Sequence, residues 1–389
     1  MPISKPFFGI AVALLFVVGA AIAHAGVPFR LALVPILCAP LLVFRGPALG
    51  WPLLWLLVLG AVACASSLRN SSSLLDTALF LRLIVTPYVM YVVARSYLRP
   101  DRVDGALRFA IWLGILQLPV VLVQRLGYRV LAPLSRHGEI PEMDFVSGTF
   151  FISNDPAMSF FLLGLVALLL LCPTPPIGVR LRTTALAACS LAVLVGNSML
   201  SHLLLLALWA YAIGRRINPS RLVGAGILTL LAAGTFVGMG WAADWLAEME
   251  LVLRQLTLLE PAHMDRFLAG EYNRVAAVYY YATSPLSLLG AGPSSSYDPL
   301  TQARFLGNTG HHFLLYGEVG LLGWLSSVLF FIAVARQYCT RTSRHFVRTL
   351  VLLLMALGVT TNVMSDASIM LAYVMLLALS LGMSVRTAS

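Results

Sequence analysis

The chain has 389 residues, 59% of them hydrophobic and only 11% charged, with a formal net charge of +10 and a mean hydropathy of +0.88. Soluble domains are roughly 45–50% apolar and about one quarter charged, so this composition excludes an ordinary soluble domain, as well as disorder, a collagen-like repeat and a disulfide scaffold. At about 20 apolar residues per membrane span and one helix per roughly 30 residues, the length has room for about a dozen spans and no sizeable soluble domain.

The first apolar run extends from Phe7 to Ala23, behind Lys5 and ahead of His24-Ala25-Gly26. Its small-residue ends, Ala21-Ile22-Ala23 or Ala23-His24-Ala25, would suit a cleaved signal peptide. An uncleaved first helix is the reading adopted, because its removal leaves an odd number of spans with the terminus outside. Further helices are predicted near 29–44, 51–67, 76–94, 106–124, 157–172, 183–196, 198–213, 222–241, 311–335, 349–364 and 367–385. The 29–44 run is short and carries Pro35 and Pro40, and the seventh and eighth runs are separated only by a turn near Gly196-Asn197. Residues 1–389 thus read as a single all-α, polytopic membrane domain of about 12 transmembrane helices.

The basic residues are one lysine and 25 arginines, most of them in short loops between apolar runs. With the N-terminus inside, 16 fall on the cytoplasmic side, nine on the opposite side and one, Arg82, within a span. Every cytoplasmic loop is then basic, as the positive-inside rule requires, so both termini are expected in the cytoplasm and no nucleic-acid partner is implied. The five cysteines, Cys38, Cys64, Cys172, Cys189 and Cys339, lack metal-like or Cys-x-x-Cys spacing and read as small core residues.

Two outer segments collect most of the remaining polar residues: a smaller periplasmic loop at 125–156 and a large one at 242–310, between spans nine and ten. Such loops are commonly solvated surface. A transporter, by contrast, places its polar groups near the midplane of the bilayer. The chain has no P-loop, nucleophile elbow, His-Glu-x-x-His or dinucleotide fingerprint. Chemistry at an outer face without a nucleotide site calls for a pre-activated substrate such as a lipid-linked pyrophosphate. Arginine suits that substrate, since its planar fork pairs with phosphate oxygens and keeps its charge.

Residues 271–324 are the most distinctive. They contain Glu271-Tyr-Asn-Arg274, Tyr279-Tyr-Tyr281, Ser284-Pro-Leu-Ser-Leu-Leu-Gly-Ala-Gly-Pro293 and Gly307-Asn-Thr-Gly-His311-His312-Phe-Leu-Leu-Tyr-Gly-Glu318-Val-Gly320-Leu-Leu-Gly323-Trp324. This region resembles the signature of the O-antigen ligase and O-antigen polymerase family. That signature has an arginine opening a helix, a Pro-Leu…Gly-x-Gly turn, a histidine before an aromatic and a Glu-x-Gly-x-x-Gly helix start. Ser147-Gly-Thr-Phe150 with Ser153-Asn154-Asp155 is similar to a second family loop, Gly-Thr-Phe…Asn, and the long outer loop fits the family layout. The resemblance covers roughly residues 145–330.

It implies a metal-independent, cofactor-free membrane glycosyltransferase of GT-C-like architecture in the bacterial inner membrane, acting in surface polysaccharide or lipopolysaccharide biosynthesis. A glycan on undecaprenyl pyrophosphate would pass to an acceptor hydroxyl, on a lipid A-core or a lipid-linked glycan. Arginines would stabilise charge on the pyrophosphate, and a histidine would orient or deprotonate the acceptor. Arg274 matches the family arginine and His311 or His312 the histidine. The family also places Ser-Arg at the start of the eighth span, where this chain has Asn197-Ser198-Met199-Leu200-Ser201-His202. The phosphate role of that missing arginine then falls to Arg266, Arg136, Arg82 or His202. The gap from His312 to Glu318 is shorter than the family pattern, which leaves the choice of histidine open.

Each candidate has a structural alternative. Arg274 can pair with Glu271, Arg266 with local acids, and Arg136 can be surface. The two histidines can cap the tenth span, and Glu318 can cap that helix or hold a histidine. Arg82 needs a partner, either Asp76 or a lipid phosphate. Asp366, beside Ser365 and Ser368, reads as a helix cap. Tyr279 to Tyr281 suit an interfacial aromatic belt or sugar stacking. Under the glycosyltransferase reading, Arg274, Arg266 and one histidine should converge at the outer mouth of a groove open to lipid. A lipid-linked glycan flippase, or a peptidoglycan-type polymerase relying on Asp265, Asp298 or Glu271, are the competing readings.

Overall fold

The computed structural model describes residues 4–25, 38, 50–98, 102–135, 145–150, 155–172, 177–196, 198–214, 287–293 and 310–386. Every regular element among them is helical. In chain order they are α1 (Ser4–Val12), a π-helical turn (Ala13–Val17), α2 (Gly19–His24), α3 (Trp51–Asn70), α4 (Leu74–Tyr97), α5 (Val103–Leu126) and the short α6 (Tyr128–Leu131), which runs into a 3-10 turn (Ala132–Leu134). There follow α7 (Asp155–Leu171), α8 (Val179–Val195), α9 (Met199–Gly214), α10 (His311–Gln337), α11 (Arg344–Leu357) and α12 (Ala367–Arg386). Five of these, α3, α4, α5, α10 and α12, are long and apolar enough to cross a membrane. The runs expected at 29–44 and 222–241 lie outside the described residues, as does most of the 242–310 loop.

Helices α7 and α12 form the centre. Both are apolar around nearly their whole circumference, the pattern of a helix enclosed by others. Within α12, 94% of the Ala367–Ser384 window is buried. It packs on α4, α7 and α5, while α7 also meets α8 and α11. Phe160 of α7, Phe331 of α10 and Tyr373 of α12 meet ring against ring. The Tyr373 hydroxyl, buried with them, donates to the Phe331 carbonyl at 2.8 Å. At the opposite end of α4 from Ser73, the Tyr91 hydroxyl donates to Gln337 Oε1 at 2.5 Å and Arg95 donates to both, tying α4 to the end of α10.

Three expectations are corrected. The first apolar run is not one regular helix: it widens into the π-helical turn and breaks at Val18, whose φ and ψ are −112° and 7°. The run expected at 349–364 is helical only from Arg344 to Leu357, and residues 358–366 turn back towards α12. Two cysteines, Cys64 and Cys339, are exposed, whereas Cys38, Cys172 and Cys189 are buried as expected. Asp366 is the expected cap: its Oδ1 accepts from the amides of Ser368 and Ile369 at 2.7 and 3.1 Å.

Candidate functional site: a strapped, broken helix and its histidines

Helix α10 is broken at Gly320, which has φ 69° and ψ −168°. A break inside an apolar bundle frees backbone donors and acceptors that must find partners away from water. Residues 287–292 supply them as a strap along the break. Ala291 N–H donates to the Gly317 carbonyl at 2.8 Å and Gly292 N–H to that of Glu318 at 3.0 Å. On the far side of the break, Leu321 and Leu322 N–H donate to the Ser287 and Leu288 carbonyls at 2.9 and 3.2 Å. Helix α3 completes the joint, because Ser66 Oγ donates to the Glu318 carbonyl at 3.0 Å and Asn70 Nδ2 to the Gly290 carbonyl at 3.2 Å.

The glycines of both motifs follow from this contact. Gly290 has φ 70°, and a Cβ on it would lie 2.6 Å from backbone atoms of Glu318, Val319 and Gly320. Reciprocally, a Cβ on Gly320 would lie 2.5 Å from Gly290 and Leu288 backbone. No side chain fits at that separation, and the left-handed conformation favours glycine independently. At Gly292, φ 102°, an added Cβ would instead meet the side chains of Ser72 and Asn70. Glu318 is buried at the break, 5% exposed.

More than two turns before the break, the start of α10 docks on the end of α11. His311 N–H donates to the Thr361 carbonyl at 2.9 Å and His312 N–H to that of Gly358 at 3.3 Å. The two imidazoles have different surroundings. His312 has both nitrogens engaged: Nδ1 accepts from Trp324 Nε1 at 2.9 Å, which leaves Nε2–H to donate to the Met355 carbonyl at 2.7 Å. His311 is wholly buried. Its Nε2 meets Ser327 Oγ at 3.1 Å, and that hydroxyl spends its own hydrogen on the Trp324 carbonyl at 2.7 Å. Nε2 of His311 is therefore the protonated nitrogen, and Nδ1 carries a lone pair that accepts no hydrogen bond. The side chain of Asn362 lies beside this ring.

The other motif segment, Ser147-Gly-Thr-Phe150, is not surface loop. Phe145 to Phe150 are all buried, which corrects the expectation for that part of the 125–156 loop. Two glutamines of α5 replace the missing backbone partners. Gln124 accepts from Gly148 N–H at 2.7 Å and donates to its carbonyl at 2.8 Å. Gln117 accepts from Thr149 N–H at 2.9 Å and donates to Thr149 Oγ1 at 2.8 Å. Thr149 then reaches the broken first helix, where its hydroxyl donates to the Phe16 carbonyl and its carbonyl accepts from Ala20 N–H at 3.1 Å. The interruption at Val18 is thus satisfied by this loop, as the break at Gly320 is by the strap.

Arg82 is exposed on α4, and among the described residues it has no hydrogen-bond or ion-pair partner. Asp76 does not pair with it: the carboxylate accepts from Ser73 Oγ at 2.5 Å and its amide donates back to that oxygen at 3.1 Å, a helix cap. His202 is a cap as well, its Nε2 lying 3.0 Å from the Val193 and Gly196 carbonyls at the end of α8. Arg136, Arg266, Arg274 and Tyr279 to Tyr281 lie outside the described residues, so the expected convergence of Arg266 and Arg274 with a histidine falls there too.

Sequence reasoning missed Gln117, Gln124, Ser66, Asn70 and Trp324. The signal for the glutamines was present: amides seven residues apart on one face of an otherwise apolar helix are costly unless paired. No group of three or more potential metal ligands occurs among the described residues. No family model matches the chain, and no curated protein matches it.

Proposed function

We propose that the protein is an inner-membrane glycosyltransferase of the O-antigen ligase and polymerase type. The chain would cross the membrane 12 times with both termini cytoplasmic, and the 242–310 loop would lie in the periplasm. The donor is a glycan on undecaprenyl pyrophosphate, and the acceptor is a hydroxyl of a lipid A-core or of a second lipid-linked glycan. The acceptor oxygen attacks the anomeric carbon, the bond from that carbon to the pyrophosphate oxygen breaks, and the acceptor proton leaves to a histidine. Arg274, Arg266 and Arg136 hold the departing pyrophosphate, whose developing charge they neutralise.

The observation that carries this reading is the junction of the two motif segments. Pro-Leu…Gly-x-Gly and Glu-x-Gly-x-x-Gly are far apart as written, yet residues 287–292 and 317–322 form one hydrogen-bonded unit. Of the two histidines at the start of the same helix, His311 has the open nitrogen, and we assign it the acceptor proton. His312, with both nitrogens occupied, positions the start of α10. Glu318 supports the break.

The test is complementation of a deletion strain with wild type, Arg274→Ala and His311→Gln, comparing surface and lipid-linked glycans on gels. Single repeat units in the deletion identify a polymerase, and full-length chains left on the carrier identify a ligase. Both variants are expected to insert normally and fail to rescue. Full rescue by both refutes the site, and carrier-linked glycan trapped on the cytoplasmic side identifies a flippase.

A further inference from the structure

Arg82 poses a problem of its own. It stands nine residues beyond the capping Ser73, about 13 Å down the axis of a helix long enough to span a bilayer. An arginine at such depth ordinarily faces the bundle interior and pairs there. Arg82 is instead exposed, on a face with Leu75, Leu79 and Val85, which are 69, 54 and 46% exposed. That stripe follows the i, i+4, i+7 spacing of one helical face, so the guanidinium emerges in the middle of an apolar surface.

Among the described residues no acidic group answers its charge. Three, four and seven residues earlier, where a helical side chain leans towards the N-terminus, stand Leu79, Ala78 and Leu75. Asp76 lies about 120° around the helix and is committed to Ser73. At the same end of the hairpin, Arg69 is exposed in the last turn of α3 and has no partner among the described residues. Exposed Leu68 and Leu74, at 84 and 90%, complete an apolar rim carrying these two positive charges.

We infer that this face of the α3–α4 hairpin binds one anionic phospholipid. Arg82 holds the phosphate, its side chain rising along α4 towards the headgroups, while an acyl chain lies on Leu79 and Val85. Arg69, at headgroup level, adds the second attraction. Two cations outnumber Asp76, the acid of this turn, and so select an anionic headgroup over a zwitterionic one. The lipid is a bilayer component bound from the side, a ligand different from the pyrophosphate-linked donor of the proposed transfer.

The test uses the full-length protein in mild detergent, stripped of lipid and titrated in native mass spectrometry. The probes are phosphatidylglycerol and, separately, phosphatidylcholine with the same chains. Wild type is expected to retain one phosphatidylglycerol at concentrations where phosphatidylcholine leaves it bare. Arg82→Leu, which suits the apolar face and should fold, is expected to weaken that binding about tenfold, the loss of one strong charged contact; Arg82→Lys should retain most of it. Equal retention by Arg82→Leu, or equal binding of phosphatidylcholine, overturns the inference. Displacement of phosphatidylglycerol by undecaprenyl pyrophosphate also overturns it and returns Arg82 to the donor site. Because the readout is lipid retention, it holds whether or not the glycan transfer is found.

Discussion

Replacement of Gly320 by alanine probes the joint on which the proposed site depends. At φ 69° a Cβ costs about 1–2 kcal/mol from the left-handed backbone alone. The added carbon also lands 2.5 Å from Leu288 and Gly290 backbone, so the strap must move away. Moving it breaks the contacts of Leu321 and Leu322 with Ser287 and Leu288. Each buried group left without a partner costs about 1–3 kcal/mol. The sum is on the order of 3–8 kcal/mol, or about 4–10 °C in the midpoint of thermal unfolding. The assay is thermal unfolding of the detergent-solubilised protein, followed by tryptophan fluorescence. Gly105→Ala in α5 is the control: a Cβ there meets nothing within 4 Å, so alanine should raise stability by roughly 0.5–1 kcal/mol. A Gly320→Ala protein as stable as wild type would show that the strap does not bear on α10, and the reasoning would fail.

Three further outcomes are expected. Gln124→Leu leaves both the amide and the carbonyl of Gly148 unpaired in a buried loop, so a loss of about 2–5 kcal/mol should appear in the same unfolding assay, with faster proteolysis near residue 148. His312→Ala removes the Met355 and Trp324 contacts and should lower stability by about 2–4 kcal/mol. His311→Gln, able to keep a donor to Ser327, should remain near wild-type stability while losing glycan transfer, and the reverse ranking would exchange the two assignments. Asp366→Ala removes the cap of α12 and should cost about 1 kcal/mol, measured as a shift in unfolding midpoint and partly restored by Asp366→Ser.

The membrane class and most helix positions were legible because burial in lipid imposes long apolar runs on the chain. The runs at 51–67, 76–94, 106–124 and 367–385 are present as α3, α4, α5 and α12, each slightly longer than its apolar stretch. The cap at Asp366 was legible too, being a contact within three residues. Legibility failed where a partner is distant in the chain. The interruption of the first helix depends on Thr149, more than a hundred residues away, and the early end of α11 is set by the docking of His311 and His312.

By itself, the sequence determined an all-helical chain with membrane-length apolar helices and picked out the glycine motifs around residues 290 and 320. The helices follow from local periodicity and composition, whereas the motifs stood out by their resemblance to a family signature. Only the tertiary structure decided that the two motifs are halves of one joint, that His311 keeps an open nitrogen while His312 does not, and that Asp76 caps its helix and leaves Arg82 facing outward. Each of these rests on which backbone carbonyl, hydroxyl or carboxylate lies within about 3 Å of a given donor, and that pairing is set by how the helices pack.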